Sequence, residues 1–315
     1  MTHTFREVEV PENADTLRVD RFLALRFRDL SRSKLVRGIE AGLVQRAGRV
    51  LRKGHKLRAG DVLQIFIPGI APDSPPPPFP QILHEDAGLI VVNKPAGMLC
   101  HPVGTAFAWA LIGLARARFP GAELVHRLDR DTSGCIALTS SLALNRALKK
   151  AIAEGRTGKV YEAICKGEIP WEQRTLTGPI GPAGGVIRIQ MAVRVDGKPA
   201  RTDVTVIERQ PGFTRVRCVL HTGRTHQIRV HLADAGFPLL GDRMYGVPPE
   251  VFLRSLDHGA DATVREWAGA PHHALHAAQL TLPMASGPVT TTAPLPDDLQ
   301  RWWNTPGVLP HDGVL

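Results

Sequence analysis

A proline-rich run divides this chain and limits how it can fold. Residues 68–80 read PGIAPDSPPPPFP, in which seven of thirteen residues are proline. Proline has no backbone N–H to give to a helix or sheet, so such a run favours an extended spacer without a packed core. The sequence therefore predicts two folded parts joined by a linker at residues 69–80. A ligand for proline-binding domains is the alternative interpretation, and the position of the run disfavours it.

Positive charge is concentrated before this run. Between Arg18 and Arg58 there are thirteen Lys or Arg residues and three Asp or Glu residues, whereas the whole chain of 315 residues has a formal net charge of +9. The excess therefore lies in one short N-terminal segment. Such a basic segment indicates an anionic partner, for which nucleic acid is the usual candidate.

The basic segment has the pattern of a small folded module. An amphipathic stretch from Leu17 predicts one helix, and Ser31 is a favourable N-cap for a second helix that ends at Gly42. On the second helix Lys34 and Arg37 share an outer face, because they are three residues apart. Short alternating stretches after Gly42 predict a few strands. This arrangement fits an RNA-binding module, and a basic face without a ligand is the alternative.

The remainder of the chain mixes helical and strand patterns. A buried strand is predicted at 89–92, and alternating stretches predict further strands at 186–194, 202–210 and 213–224. Helices are predicted at 106–119 and 141–154. Neighbouring strands with short connections indicate an α+β fold class, namely a catalytic domain around a mostly antiparallel mixed sheet beside a small α/β N-terminal module.

Composition excludes several other classes of protein. The longest apolar run, 106–115, is shorter than the roughly 18 residues of a membrane span, and we expect neither a membrane segment nor a secretory signal. The four cysteines are isolated, without a C-x-x-C pair. That spacing predicts reduced structural thiols in a cytoplasmic protein rather than a disulfide or zinc framework. The four are Cys100, Cys135, Cys165 and Cys218.

The stretch VHRLDRDTSG, residues 125–134, is the first candidate for chemistry. Asp129 and Asp131 are two residues apart, so an extended backbone would project both carboxylates to one side, where they could divide acid and base roles. Arg127 and Arg130 flank them and favour an ionised, paired state over a raised pKa. A salt-bridged turn without catalytic function is the alternative.

Two further stretches carry candidate residues. The sequence from Leu220, LHTGRTHQIRVHLADAGFPLLGDRMYG, is interpreted as a strand whose polar face carries Thr225, Gln227, Arg229 and His231. Histidines every five residues alternate between the faces of a strand, which disfavours a metal site. In GKVYEAICKG, Tyr161 lies on a predicted strand, and a buried tyrosine with a satisfied hydroxyl is the alternative interpretation.

The N-terminal pattern resembles a known family. R-x-D-x-F-L, then S-R-S at a helix start, I-x-x-G-x-V and a terminal G-D-x-L-x-I are similar to the S-four-like RNA-binding domain. The resemblance implies that Arg32, Lys34 and Arg37 contact RNA phosphates, which is sequence-independent, salt-sensitive binding. It implies an N-terminal tail at 1–13, an S-four-like domain at 14–68, the proline-rich linker at 69–80 and a catalytic domain at 81–315.

The rest of the chain resembles the RluA-type pseudouridine synthases. H-R-L-D-R-D-T-S-G is similar to the catalytic signature of that family, and K-x-Y-x-A-x-x-x-G and T-G-R-T-H-Q-I-R-V-H-L follow in the family's order. N-K-P-A-G, L-H-A at 275–277 and A-P-L-P-D-D-L also fit. With the S-four-like pattern, the resemblance covers nearly the whole chain.

This second resemblance implies a role for individual residues. Asp129 would be the catalytic aspartate, Arg229 would pair with its carboxylate, and Tyr161 would stack on the target uracil and help remove its C5 proton. RNA-binding residues in the catalytic domain would be His126, Arg127, Arg224 and His226. The reaction moves one glycosidic bond from N1 to C5 of the same uracil. We therefore expect no redox cofactor, nucleotide or metal.

The sequence leaves alternatives open for both the substrate and the class of activity. The resemblance favours large-subunit ribosomal RNA, with transfer RNA as the alternative, and a cytoplasmic monomer as the working form. A non-catalytic RNA-binding assembly factor and a metal-dependent hydrolase are the competing classes. Three departures from the family bear on substrate choice: Ile152 near the place of an aromatic residue, a variable stretch at 255–273 and an apolar loop at 100–113.

Overall fold

The computed structural model describes residues 5–27, 30–67, 76–101, 110–258 and 261–305, which divide into two compact units. One unit contains the described residues up to Phe79, together with His101 and 110–114. The other contains Pro80–Cys100 and the described residues from Ala115 onward. Most of the predicted linker and of the apolar loop lies outside the described residues. Within the described ranges, no helix has the length and apolarity that crossing a bilayer requires.

The N-terminal unit packs two helices against a small sheet. The sheet order is β1-β4-β2-β3, with every pairing antiparallel. Ser31 caps the second helix, because its hydroxyl accepts a hydrogen bond from the backbone N–H of Lys34, as predicted. Leu35 and Ile39 of that helix are buried in the core. In chain order the elements are β1 (Arg6–Glu9), a 3-10 turn (Glu12–Ala14), α1 (Val19–Arg26), α2 (Arg32–Glu40), β2 (Val44–Arg46), β3 (Arg49–Val50) and β4 (Val62–Ile65).

The sheet of this unit begins before the predicted domain start. Strand β1 lies within the segment expected to be a tail, 1–13, and pairs with β4. Val8 and Val10 are buried while Glu7 and Glu9 are exposed. The physical reason is the period-two alternation of glutamate and valine, which gives a strand one apolar face for the core. Residues 5–13 are therefore part of the folded unit.

The larger unit is built on one long sheet. Its strand order is β10-β13-β14-β9-β15-β8-β6-β5, with β16 paired to β15 and β7 paired to β8. The strands are β5 (Ile82–Asp86), β6 (Leu89–Lys94), β7 (Glu123–Leu124), β8 (Ser133–Thr139), β9 (Gly158–Lys166), β10 (Gln173–Leu176), β11 (Ile180–Pro182), β12 (Met191–Val193), β13 (Thr202–Gln210), β14 (Phe213–Leu220), β15 (Leu275–Met284) and β16 (Gly287–Thr292). A separate antiparallel pair is formed by β11 and β12.

Helices accompany this sheet. They are α4 (Leu142–Ala153), α5 (Gln227–Asp234), α6 (Pro249–His258), α7 (Ala262–Ala268) and α8 (Asp297–Asn304). Helix α3 (Leu111–Arg118) has residues in both units. All strand pairings of the long sheet are antiparallel except that of β15 with β8. The predicted fold class, α+β with a mostly antiparallel mixed sheet, is confirmed. The variable stretch 255–273 contains the end of α6 and the whole of α7.

Two strand predictions were wrong. The segment from Gln227 is helix α5 and not a strand, and only Met191–Val193 of the stretch 186–194 forms a strand. Residues 227–232 are all buried, so the short segment has no exposed face from which its period could be read. The strand-face argument about histidines therefore does not apply. Within the described ranges, no three His, Cys, Asp or Glu side chains are grouped as metal ligands.

A glycine permits the parallel contact at the centre of the sheet. Gly134, the second residue of β8, has φ +106°, and a Cβ placed there would lie 2.3 Å from the carbonyl oxygen of Ala277 on β15. Since β8 also carries the end of the 125–134 signature, this close approach fixes where that loop meets β15.

We expect Gly134→Ala to destabilise the fold far more than a positive φ alone would. Forcing an alanine to positive φ costs roughly 1–2 kcal/mol, and here the backbone must also move away from Ala277. Gly155→Ala is the matched control, because Gly155 has φ +70° with no atom within 4 Å of its Cβ position. Chemical denaturation measures both free energies of unfolding. Equal losses would contradict the close-approach argument.

Candidate active site

The loop that carries Asp129 connects β7 to β8 and is fixed at both ends. Thr132 Oγ1 is 2.8 Å from Nε2 of His273, and Ser133 Oγ is 2.9 Å from Nδ1 of His276. These two hydrogen bonds hold the loop against the start of β15. On the other side, the backbone N–H of Leu128 donates to Cys100 Sγ at 3.3 Å. His273 was not among the residues predicted from the sequence. Its side chain is buried, and burial lowers its pKa to about 4, so it is neutral at pH 7.

A buried lysine joins this loop to the N-K-P-A-G turn. Lys94 is fully buried, and its ammonium donates at 2.9 Å to the carbonyl oxygens of Pro95, Met98 and Arg130. Burial lowers the pKa of Lys94 to about 8. Three carbonyls replace the water that the ammonium loses, so the side chain holds the two backbone segments together. The sequence alone identified the turn but not this function of its lysine.

Arg229 lies between two carboxylates. It projects from α5, where its Nη1 donates to Asp129 Oδ2 at 2.9 Å. On its other edge, Nε and Nη2 donate to the two oxygens of Asp242 at 2.7 and 2.9 Å. The predicted pairing of Arg229 with Asp129 is therefore confirmed. The ring of Tyr245 lies beneath the guanidinium, 5.0 Å from its carbon.

Asp242 is the carboxylate that the sequence analysis missed. It is fully buried and also accepts the backbone N–H groups of Met244 and Tyr245 at 2.9 and 3.2 Å. Bidentate binding fixes the plane of the guanidinium, so one free edge points to Asp129. The available signal was an acidic residue directly after the apolar run F-P-L-L-G, where an unpaired carboxylate would be costly.

Electrostatics keep both aspartates of the signature ionised, as predicted. Burial by itself would raise the pKa of Asp129, but the Arg229 guanidinium outweighs it, and the pKa lies below its ordinary value. Asp131 accepts from Arg130 at 2.9 Å and from Arg243 at 2.6 Å, and these cations likewise outweigh burial and lower its pKa. Asp131 does not line the cavity, so the two carboxylates do not share acid and base roles there.

The two tyrosines of the chain differ in how their hydroxyls are satisfied. Tyr245 accepts the backbone N–H of Met191 at 3.0 Å, and its hydroxyl is 2.9 Å from His226 Nδ1. Tyr161 is also buried, yet its hydroxyl has no hydrogen-bond partner among the described residues. Burial, and secondarily the charge of Asp129, raises the pKa of Tyr161. The phenol is therefore protonated and its hydroxyl is available to a ligand.

His226 connects Tyr245 to the carboxylate. It precedes α5 with a left-handed backbone, φ 57°, which is uncommon for a residue other than glycine. Its Nε2 lies 3.8 Å from Asp129 Oδ2, which is too far for a direct hydrogen bond. Burial and the neighbouring Arg229 lower the pKa of His226 to about 4. It is neutral at pH 7 and adds no charge to the pair.

Asp129, Arg229, Tyr161 and His226 line one cavity of about 450 Å³. The structure brings together there all predicted site residues of the larger unit: His126, Arg127, Asp129, Tyr161, Arg224, His226 and Arg229. Arg127 is exposed at the cavity, whereas Arg224 donates to the Pro199 carbonyl oxygen.

Arg32, Lys34 and Arg37 belong to the N-terminal unit. Of these, Arg32 and Arg37 are exposed, and Nη2 of Arg32 lies 3.6 Å from Oδ2 of Asp20.

Known proteins are similar to this chain over most of its length. A family model described as RNA pseudouridylate synthase matches residues 88–234. A protein of Xanthomonas campestris named ribosomal large subunit pseudouridine synthase D is 34% identical over 95% of this chain and 91% of its own length. A protein of Chloroflexus aurantiacus named uncharacterized RNA pseudouridine synthase is 38% identical over 94% and 92%. The solved human RNA pseudouridylate synthase domain containing 1 has 27% identity and a TM-score of 0.56, covering 70% of this chain and 86% of that chain.

We expect Asp242→Ala to be strongly destabilising. The substitution leaves Arg229 buried with one anionic partner instead of two, and breaking a buried pair costs about 3–5 kcal/mol. Asp203→Ala is the matched control, because Asp203 pairs with Arg201 and His221 at the surface and should cost about 1 kcal/mol or less. Denaturant unfolding of both variants compares the losses. Similar losses would show that the buried pair does not stabilise the fold.

Proposed function

Because the chain belongs to the RNA pseudouridine synthase family, we propose that it isomerises specific uridines of large-subunit ribosomal RNA to pseudouridine. The names of the relatives support this substrate, and transfer RNA is the alternative. One observation carries the proposal for the site. An ionised carboxylate, Asp129, is held by Arg229 in a cavity that Tyr161 also lines.

The reaction breaks the bond between N1 of uracil and C1′ of ribose and joins C1′ to C5. The proton on C5 leaves and N1 gains one, so nothing is oxidised or hydrolysed. A carboxylate acts as a nucleophile or a base only when it is ionised, and Arg229 lowers the pKa of Asp129 below its ordinary value. Attack on the base, attack on the sugar and removal of the C2′ proton all need this ionised state.

Tyr161 is proposed to hold the freed uracil while it turns from N1 to C5. Aromatic side chains bind unstacked bases through their faces, which tolerates rotation of the base in its plane. The raised pKa of Tyr161 keeps the phenol protonated at neutral pH. Its hydroxyl can therefore donate a hydrogen bond at once, whereas removal of the C5 proton by Tyr161 would first require loss of the phenolic proton.

The target nucleotide must leave its helix to reach the cavity. A stacked uridine cannot approach a carboxylate inside a protein, so enzymes of this kind extrude the nucleotide. Exposed Arg127 is suited to the strand left behind, and His126, Arg224 and His226 are proposed to contact the RNA around the cavity. A cavity of about 450 Å³ lies within the usual range for a small ligand, which a single nucleotide matches.

The N-terminal unit is proposed to be an S-four-like RNA-binding domain. Exposed Arg32 and Arg37 on α2, together with Lys34, would contact phosphates, while residues 81–315 carry the chemistry. A proline-rich linker at 69–80 would join the two parts. We further propose a cytoplasmic monomer without cofactor or metal. Four buried free cysteines are consistent with the reduced thiols expected there.

Mapping pseudouridines tests the proposed substrate directly. Ribosomal and transfer RNA from cells with and without the gene are compared at single-nucleotide resolution. Loss of one or more pseudouridines from large-subunit ribosomal RNA supports the proposal. Loss from transfer RNA alone would select the alternative substrate, and no loss in either RNA would contradict the proposed function.

We expect Asp129→Asn to abolish pseudouridine formation and to leave RNA affinity within a few-fold. The amide keeps the shape of the side chain but cannot act as nucleophile or base. Single-turnover assays and binding measurements on the mapped RNA separate the two effects. Asp203→Asn is the control at the surface and should retain activity, because Asp203 does not line the cavity. Turnover by Asp129→Asn would disprove this mechanism, and so would loss of activity on metal chelation.

Replacing Arg32, Lys34 and Arg37 with alanine should weaken RNA binding without changing the rate at saturating RNA. Log affinity falls as log salt concentration rises, and each lost phosphate contact should make this slope shallower by roughly 0.7 to 0.9. Binding across a salt series, with single-turnover rates, measures both quantities. The charge-matched control replaces Arg174, Arg254 and Arg301, which are exposed on the larger unit. An unchanged slope, or equal slopes for both variants, would contradict phosphate binding by α2.

A further inference from the structure

One buried cation of the cavity has no role in the account above. Lys159 lies on β9, its side chain is only 8% exposed, and it lines the same cavity as Asp129 and Tyr161. The turn that follows β14 passes beside its ammonium, since a Cβ placed on Gly223 would lie 3.5 Å from Lys159 Nζ. The amine is therefore held at the cavity wall and not at an open surface.

The Lys159 ammonium lacks a protein partner among the described residues. Over the ranges that the structure describes, no hydrogen bond or ion pair to it is found, whereas buried Lys94 donates to three carbonyls and Lys166 donates to the carbonyl of Trp267. The one carboxylate that lines the cavity, Asp129, is bound by Arg229. A cation on a cavity wall without a counter-charge favours an anionic ligand.

The position of Lys159 relative to Tyr161 indicates which anion. The two residues are separated by one position on a strand, so they share a face and lie roughly 6.6 Å apart along it. That spacing is comparable to the distance between a base and the phosphate of its own nucleotide. A uracil stacked on Tyr161 would therefore bring a phosphodiester to the ammonium. The carbonyl oxygens of uracil carry no net charge and would compensate the cation less.

We infer that Lys159 binds the phosphodiester on one side of the extruded uridine and so fixes the nucleotide against Tyr161 and Asp129. This inference rests on the proposed function, because it assumes that a uridine nucleotide enters the cavity. The contact forms only after extrusion, while other basic residues bind the surrounding RNA. Loss of Lys159 should therefore lower the rate of reaction at saturating RNA more than it lowers the affinity for RNA.

The test is a double-mutant cycle between the side chain and the phosphate. A short RNA containing the mapped uridine is synthesised with a neutral methylphosphonate on its 5′ side, on its 3′ side or on neither. Wild-type protein and Lys159→Met are assayed in single-turnover reactions with each RNA. A charge-assisted hydrogen bond predicts a loss of roughly tenfold to a hundredfold for either change alone, with little further loss when both are combined.

Matched variants separate this contact from general effects on the fold. Lys166→Met removes a partly buried ammonium from the same strand outside the cavity, and it should leave the cycle unchanged. Lys159→Arg keeps the charge and should restore most of the rate and its sensitivity to the neutral linkage. Thermal unfolding of each variant reports on folding.

The possible outcomes distinguish the two proposals. If wild-type protein reacts equally well with both methylphosphonate RNAs, or if the two losses simply multiply, the inference about Lys159 is wrong while the proposed function stands. The wild-type comparison needs no variant and holds even if Lys159→Met fails to fold. If wild-type protein forms no pseudouridine in any RNA, the proposed function fails, and the inference fails with it.

Discussion

The site depends on a buried guanidinium held between two carboxylates. Arg229 is nearly inaccessible to solvent and binds Asp242 through two of its nitrogens and Asp129 through the third. Removing a guanidinium from water is costly, and only charged partners in good geometry offset that cost. Together, these three side chains link the loop before β8, helix α5 and the turn that follows α5. Arg229 also keeps Asp129 ionised in a partly desolvated cavity.

Buried polar side chains near the site fall into two groups, those with hydrogen-bond partners in the protein and those without. Tyr245 and Lys94 each have all their polar atoms engaged by protein groups, and they hold backbone segments in place. Tyr161 and Lys159 are similarly buried but have no such partners among the described residues. Both residues line the cavity beside Asp129, where we propose that they meet the substrate.

Sheet topology places these groups together although they are distant in the chain. Strand β9, which carries Tyr161 and Lys159, lies between β14 and β15, and β15 pairs in parallel with β8. The signature loop and the turn after β14 both line the cavity that Tyr161 and Lys159 line. Gly134 permits the closest step of this arrangement, because no side chain fits against the Ala277 carbonyl.

The sequence by itself determined the elements with a strong local pattern and the residues with a distinctive chemical type. Alternation identified β13 and β14, Ser31 identified a helix start, and the ordered motifs identified Asp129, Tyr161 and Arg229. Local pattern did not decide α5, because a segment buried on every side has no exposed face to reveal its period. Asp242, His273 and the role of Lys94 likewise came only from the tertiary structure. His273 meets Thr132 across 141 residues, and Lys94 meets the carbonyl oxygen of Arg130 across 36, so these contacts exist only in the folded chain.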